Sequence, residues 1–239
     1  MRFLVTAGNT QEKIDAVRQW SNIFTGNTGL SIARAVAEIG DVDLLTSNKQ
    51  HLAELSGNQT TQHRISASPF TDHANLREML ARLVKSVRYD AVFMSAAVSD
   101  YRPVRVFAVE SRKPGERGAE QWTVRDVQAA KIRSNHKLIA VLGEHTEKLV
   151  DLFRTEWNYK GLLVKFKLEV GISKDELIRV GQASRVSSGA EYLVANTLAM
   201  VEGADAGAFL LSDKGAEWVA RNDLPARMAR LVRERCGSQ

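Results

Sequence analysis

Short apolar runs, separated by stretches of helical period, constrain the fold of this 239-residue chain more than any other feature. Strand-like runs lie at 2–6, 42–46, 91–95, 162–166, 192–195 and 209–211. Between most of them, apolar residues recur three and four apart and predict helices over 29–39, 75–87, 146–157, 174–186 and 224–235. A buried parallel strand can be apolar throughout, whereas a helix keeps one apolar stripe, so the two patterns do not interchange. Such alternation buries best as a mostly parallel sheet with helices on both faces, which makes this an α/β chain of Rossmann-like class. The last helical stretch carries Leu224, Met228 and Leu231 on one side and arginines on the other, as an amphipathic closing helix would.

The stretch from Arg102 to Ala130 breaks the pattern. It holds two of the four prolines, mixes charges and lacks a clean apolar period. An excursion of this length is expected to be a functional lid or an unstructured loop, here an inserted flap at roughly 102–136. With no repeat, low-complexity tract or linker in view, 1–239 reads as a single domain.

Composition narrows the setting. An apolar content of 44% with 26% charged residues suffices for a proper core. The start, Met1 to Asn9, has too short an apolar run for a signal segment or membrane span, so no membrane association is expected. The lone cysteine, Cys236, can form neither an intrachain disulfide nor a cysteine metal cluster, and a reducing cytoplasm fits. A net charge of +5 suits an anionic partner, but the basic residues are dispersed, so a nucleic acid is not expected. His51, His63, His73, His136 and His145 lack metal-ligand spacing and read as surface or capping residues, and Asp72 as part of a solvated face, so no metal held by protein ligands is expected.

In open α/β sheets ligands bind beyond the carboxyl ends of the strands. After the first strand come Gly8, Asn9 and Thr10, and later Thr25, Gly26 and Gly29 lead into a helix. Glycines there let backbone N–H groups approach an anion beside a helix N-terminus, or else merely shape a turn and a helix–sheet contact. The G-x-G-x-x-G run of a dinucleotide site is absent, and the second strand ends in Thr46, Ser47 and Asn48 rather than an acid, which disfavours a nicotinamide dehydrogenase. After 91–95, Ala96 and Ala97 would let a ligand lie flat on the backbone. Asp100 would either accept from ribose or base donors or turn the chain. Lys131, closing the irregular stretch, is either a solvated lysine or a movable cation on a lid.

Read in order, these segments resemble the phosphopantothenate-cysteine ligase family in its stand-alone form. The resemblance is carried by Gly8, Thr10, Ile14, Asp15, Val17 and Arg18, then Ser21-Asn22, Thr25-Gly26 and Gly29. It continues through Ala97-Val98-Ser99-Asp100-Tyr101, Lys131-Ile132, Phe166-Lys167-Leu168 and Ala195-Asn196. It implies a two-step ligation in coenzyme A biosynthesis: the carboxylate of 4'-phosphopantothenate attacks the α-phosphorus of CTP, or alternatively ATP, and the amine of L-cysteine then displaces the nucleotide. Mg²⁺ as cofactor and a homodimer are implied with it; the alternative to a ligase is a catalytically inactive Rossmann-like nucleotide-binding protein. In this reading Asn22 donates to the carboxylate and later the acyl oxygen, Arg18 holds an anionic group, and Lys131 neutralises charge at the α-phosphate. The 26–29 backbone faces the triphosphate, with Gly8, Thr25, Ala96, Ala97, Asp100 and Phe166 completing the nucleotide pocket. The chain departs from the family at Asn9, where a second glycine is usual, and at Thr146-Glu147, which lose a proline but keep a good N-cap residue. It departs again in the helix before Ala195-Asn196, where serines replace two triphosphate lysines and leave Arg179 or Arg185 as substitutes.

Overall fold

The computed structural model describes residues 1–57, 64–201, 203 and 206–236; His63 lies outside the described residues. All six apolar runs are strands, and the five helical stretches are helices. β1 (Arg2–Ala7), β4 (Asp41–Thr46), β5 (Ile65–Pro69), β6 (Ala91–Met94), β10 (Leu162–Glu169) and β11 (Tyr192–Thr197) run parallel. β12 (Gly207–Ser212) and β13 (Gly215–Ala220) close one edge antiparallel. The order across the sheet is β13-β12-β11-β10-β6-β1-β4-β5. From β1 the chain winds outward through β4 to β5, then crosses to the other side and continues through β6, β10 and β11. The switch between β1 and β6 opens a crevice at their carboxyl ends, where an α/β sheet takes its ligand.

Period two divides each fully apolar strand between two cores. Phe3, Val5 and Ala7 of β1 pack with α1 (Asn27–Ala37) and α6 (Leu224–Cys236), while Leu4 faces α3 (His73–Ser86) and α4 (Leu149–Thr155). A third cluster joins Leu177 of α5 (Lys174–Ser187) to Leu193, Ala195 and Leu211. Phe3, Phe93 and Phe153 are wholly buried, each worth about 1.5–3 kcal/mol relative to exposure. A short α2 (Lys49–Gly57), with no counterpart among the expected helices, lies along β4 and β5. No helix among the described residues is long and apolar enough to cross a membrane.

Three expectations change. Asp72 does not belong to a solvated face: its carboxylate accepts from Asn75 N at 2.9 Å and caps α3. Thr146 is not the cap of α4, which begins at Leu149 behind an extended Lys148; instead its hydroxyl donates to Ser99 O at 2.6 Å. The segment read as an irregular flap over 102–136 is a three-stranded antiparallel sheet, β7 (Tyr101–Pro114), β8 (Glu120–Asp126) and β9 (Ile139–His145), in the order β8-β7-β9. It lacks an apolar period because most of it is exposed, β8 along its whole length. Ion pairs across its strands, Arg102–Glu144 at 2.8 Å and Arg125–Glu110 at 2.7 Å, stand where a buried sheet would have apolar pairs. Pro103 pairs with Gly143 beside a register shift, in the part of β7 that β8 does not cover.

Candidate active site

The loops that follow β1, β4 and β6 are tied together at the crevice. Ser95 Oγ donates to Thr6 O, and Ala96 N donates to Thr6 Oγ1 at 3.0 Å. Ala97 N donates to Gly8 O at 2.9 Å, and Thr10 N to Ala97 O at 3.2 Å. Gly8, at φ 85°, turns the chain out of β1, whereas Asn9 keeps an ordinary negative φ.

Gly26 also stands in the left-handed region, at φ 82°, and heads α1 with no side chain capping the helix. The first turn of α1 holds no acidic residue, so its amides and partial positive charge face the crevice uncompensated by side chains. Gly29 sits inside that turn, where a Cβ would lie 2.8 Å from Thr6 O, and the helix start is seated directly on the end of β1. Thr25 is exposed beside it, and its carbonyl accepts from Asn48 Nδ2 at 3.0 Å. The second strand's polar ending thus braces the glycine loop.

A short hairpin, β2 (Gln11–Lys13) and β3 (Gln19–Ser21), carries the next two candidates. Its turn folds around Asp15, whose side chain is fully enclosed. Asp15 accepts from Val17 N at 2.9 Å, Arg18 N at 2.8 Å and Ile132 N at 3.1 Å, and from the Arg18 guanidinium at 2.5 Å. Burial by itself would raise this carboxyl, but the four donors outweigh it and hold Asp15 well below the usual carboxylate range. Arg18 Nη2 donates to Ile132 O at 2.7 Å as well. Much of the Arg18 fork is therefore spent joining the hairpin to the segment that carries Lys131. Lys131 itself is exposed and, with Val17, Arg18, Ile132, Arg133 and Ser134, lines a cavity of about 590 Å³. Asn22 follows β3, exposed, with Nδ2 donating to Ala97 O at 3.3 Å.

The other candidates are spread along the crevice. Ala96 and Ala97 are half-buried at its floor, and Asp100 is exposed at the base of β7, with its carbonyl accepting from Thr146 N at 2.9 Å. Phe166 is half-buried against the core on the α1–α6 face. Neither arginine of α5 stands free at the crevice. Arg179 is paired with Glu176 at 2.6 Å. Arg185 lies in the last turn, toward the amino end of β11, and donates to Gln182 Oε1 at 2.7 Å. The helix runs antiparallel to its strands, so its final turn points away from the ligand edge.

Two polar groups escaped sequence reasoning because each sits in a segment that reads as ordinary. Lys165 of β10 is buried, its Nζ 3.0 Å from Ser184 Oγ, and burial lowers its pKa. His51 of α2 is 1% exposed, which overturns the surface reading. Thr46 Oγ1 lies 3.0 Å from His51 Nδ1, and Asn27 Oδ1 lies 3.0 Å from its Nε2. Thr46 Oγ1 also accepts from Asn48 N, and Asn48 Nδ2 lies 3.2 Å from Nε2, so three polar side chains enclose the ring. A neutral imidazole satisfies this arrangement, and burial lowers its pKa from 6.5. An unfolded chain protonates His51 below that value while the folded chain resists, so this residue makes stability fall as pH drops below 6.5 and adds no slope above it. His51→Gln is expected to flatten the decline in Tm between about pH 6.5 and 5; an identical decline in both proteins would refute the assignment. His73 is buried too, with Nε2 2.8 Å from Glu147 O.

The chain is thus a doubly wound α/β domain whose switch point carries small-residue turns and a helix start without a side-chain cap. Residues 1–231 match the DNA/pantothenate metabolism flavoprotein C-terminal domain, and the chain belongs to that family. The coenzyme A biosynthesis bifunctional protein CoaBC of Thermococcus kodakarensis is 30% identical over 197 residues, 82% of this chain and 41% of the relative. That of Mycolicibacterium smegmatis is 26% identical over 205 residues, 83% and 42% of the two chains. The chain thus spans about two-fifths of the length of these curated relatives. In fold it is similar to the DNA/pantothenate metabolism flavoprotein from Streptococcus pneumoniae, with a TM-score of 0.78, 24% identity and coverage of 98% and 99% of the two chains. A Cab2 mutant solved in complex with phosphopantothenate-cysteine has a TM-score of 0.64 at 14% identity, covering 98% of this chain and 88% of its own.

Proposed function

We propose that the chain is a phosphopantothenate-cysteine ligase that uses CTP, with ATP as the alternative donor. One observation carries the reading: the Asp15 clamp brings the Arg18 hairpin and the Lys131 segment to one cavity, beside a crevice whose floor carbonyl, Ala97 O, receives the Asn22 amide. A carboxylate oxygen of 4'-phosphopantothenate attacks the α-phosphorus of the nucleotide, the bond to the β-phosphate breaks, and pyrophosphate leaves. The amine of L-cysteine then attacks the acyl carbon, loses a proton and expels the nucleoside monophosphate as the amide forms.

Both steps gather negative charge in a small space, which pre-set donors stabilise far better than water does. The triphosphate would lie on the α1 N-terminus between Gly8, Thr25, Gly26 and Gly29, with Ala96, Ala97, Asp100 and Phe166 around the nucleoside. Asn22 would donate to the substrate oxygen, where a carboxylate would repel it. Lys131 would close on the α-phosphate, and Arg18 would present what its clamp leaves free of the guanidinium. Mg²⁺ in this reading would be carried by the nucleotide phosphates, as hard oxygen ligands suit it. Mg²⁺ would supply charge neutralisation to the departing pyrophosphate. A homodimer belongs to the same reading, supported by the exposed Trp122, Val124 and Leu142 on the flap sheet.

The test is to supply 4'-phosphopantothenate, cysteine, Mg²⁺ and either CTP or ATP to the purified protein. Pyrophosphate and amide product are followed by mass spectrometry. Product with one nucleotide establishes the ligase and its donor; no pyrophosphate with either overturns the reading.

A further inference from the structure

Asn9 holds the candidate catalytic loop from below. Its Nδ2 donates to Asn22 O and to Phe24 O, each at 2.8 Å. Its own backbone is fixed by a donation from N to Ser47 Oγ at 2.9 Å and by a bridge to Ala97. Ala97 is also the residue whose carbonyl receives the Asn22 side-chain amide. Both sides of Asn22 are therefore referred to Asn9, its main chain directly and its side chain through Ala97. Two carbonyl acceptors require the nitrogen end of the Asn9 amide to face them, which settles its orientation. The opposite end, Oδ1, is buried without a donor. A side chain packed for its own sake would turn to satisfy that oxygen; this one directs both N–H groups at a single loop and leaves its acceptor orphaned.

We infer that Asn9 is a positioning residue for Asn22, setting the direction in which the Asn22 amide meets the substrate carboxylate; this rests on the ligase reading. A glycine here, as in the family the sequence resembles, lacks any such clamp.

Steady-state kinetics of the full chain with 4'-phosphopantothenate, cysteine and the preferred nucleotide test it. Asn9→Asp keeps the size but has no N–H to give, and Asn9→Gly removes the clamp without strain. Both are expected to lower kcat by on the order of 10- to 100-fold, as a small displacement of a reacting group does. KM for the nucleotide should change by less than about twofold. In an Asn22→Ala background, Asn9→Gly should add no further loss, because residues acting through one another are not additive. Wild-type kcat in Asn9→Asp, or losses that multiply in the double variant, would overturn the inference. A second arm needs no turnover: backbone hydrogen exchange over 22–25 is expected to quicken in Asn9→Gly, and unchanged exchange would overturn the clamp. A wild-type protein that makes no product would defeat the ligase reading, while the exchange arm still decides the role of Asn9.

Discussion

Lys131→Gln is expected to lower kcat by about 10²- to 10³-fold, or about 2.7–4 kcal/mol of transition-state stabilisation, the usual loss when one pre-set charge donor is removed. The expectation comes from where the lysine is held. Ile132, its neighbour, is buried and bound through both backbone groups, N–H to Asp15 and C=O to Arg18. The amine is thus a cation without an ion pair among the described residues, on an anchored base. Glutamine keeps most of the length and removes the charge, so phosphopantothenate should still bind while pyrophosphate release slows. Because the Lys131 side chain is exposed, Tm should stay within about 1 °C of wild type, as surface substitutions usually allow. A single-turnover pyrophosphate assay reads the first step directly, and a variant retaining more than about a third of the wild-type rate would remove Lys131 from the proposed chemistry. Asn22→Ala belongs to the same experiment and should lose a comparable factor.

Gly26→Ala should be the most disruptive glycine-to-alanine change among the described residues. The Cβ position is set by the backbone, so no rotamer moves it, and here it would lie 1.9 Å from Gly8 N and 2.6 Å from Gly8 Cα. The left-handed φ of 82° adds about 1–2 kcal/mol for any residue with a Cβ. Displacing a packed backbone adds about 1–3 kcal/mol more. The sum, about 2–5 kcal/mol, corresponds to a fall in Tm of roughly 5–15 °C in a chain of this size. Gly118→Ala separates the two contributions: its φ is 81°, but nothing lies within 4 Å of the added carbon, so only the left-handed cost should appear. Equal losses of Tm in the two variants would show that the contact between the Gly8 and Gly26 turns is not tight in solution. Nucleotide affinity in Gly26→Ala should fall as well, since the α1 amides are aimed by that turn.

Part of this site was legible in the residues. Gly8, Gly26 and Gly29 read as close-approach positions, and a Cβ at each meets a neighbour within 2.5 Å or less. Arg18 was legible as a member of an ordered motif but not as a clamp, because its partners lie 114 residues away at Ile132 and three residues away inside a hairpin too short to show a period. His51 read as surface because Asn48, Lys49 and Gln50 before it are polar or charged, and Lys165 drew no reading because it lies inside the apolar run 162–166. Their burial is decided by Thr46, Asn27 and Ser184, which reach them from other elements. The strands of the flap were missed for a related reason: exposed strands held by cross-strand ion pairs carry no apolar alternation.

The sequence by itself determined the class of fold, since its runs of buried strand and striped helix can satisfy their apolar surface in few other ways. It determined the tight turns at Gly8 and Gly26 as well, because only glycine accepts those backbone angles and contacts together at no strain. Tertiary structure alone decided which polar groups work on one another: that Asp15 closes on Ile132, that Asn9 grips the Asn22 loop, and that the arginines of α5 are otherwise engaged. Apolar burial is written locally, in the period of one element, whereas a hydrogen bond between loops exists only after the sheet has brought distant segments within 3 Å.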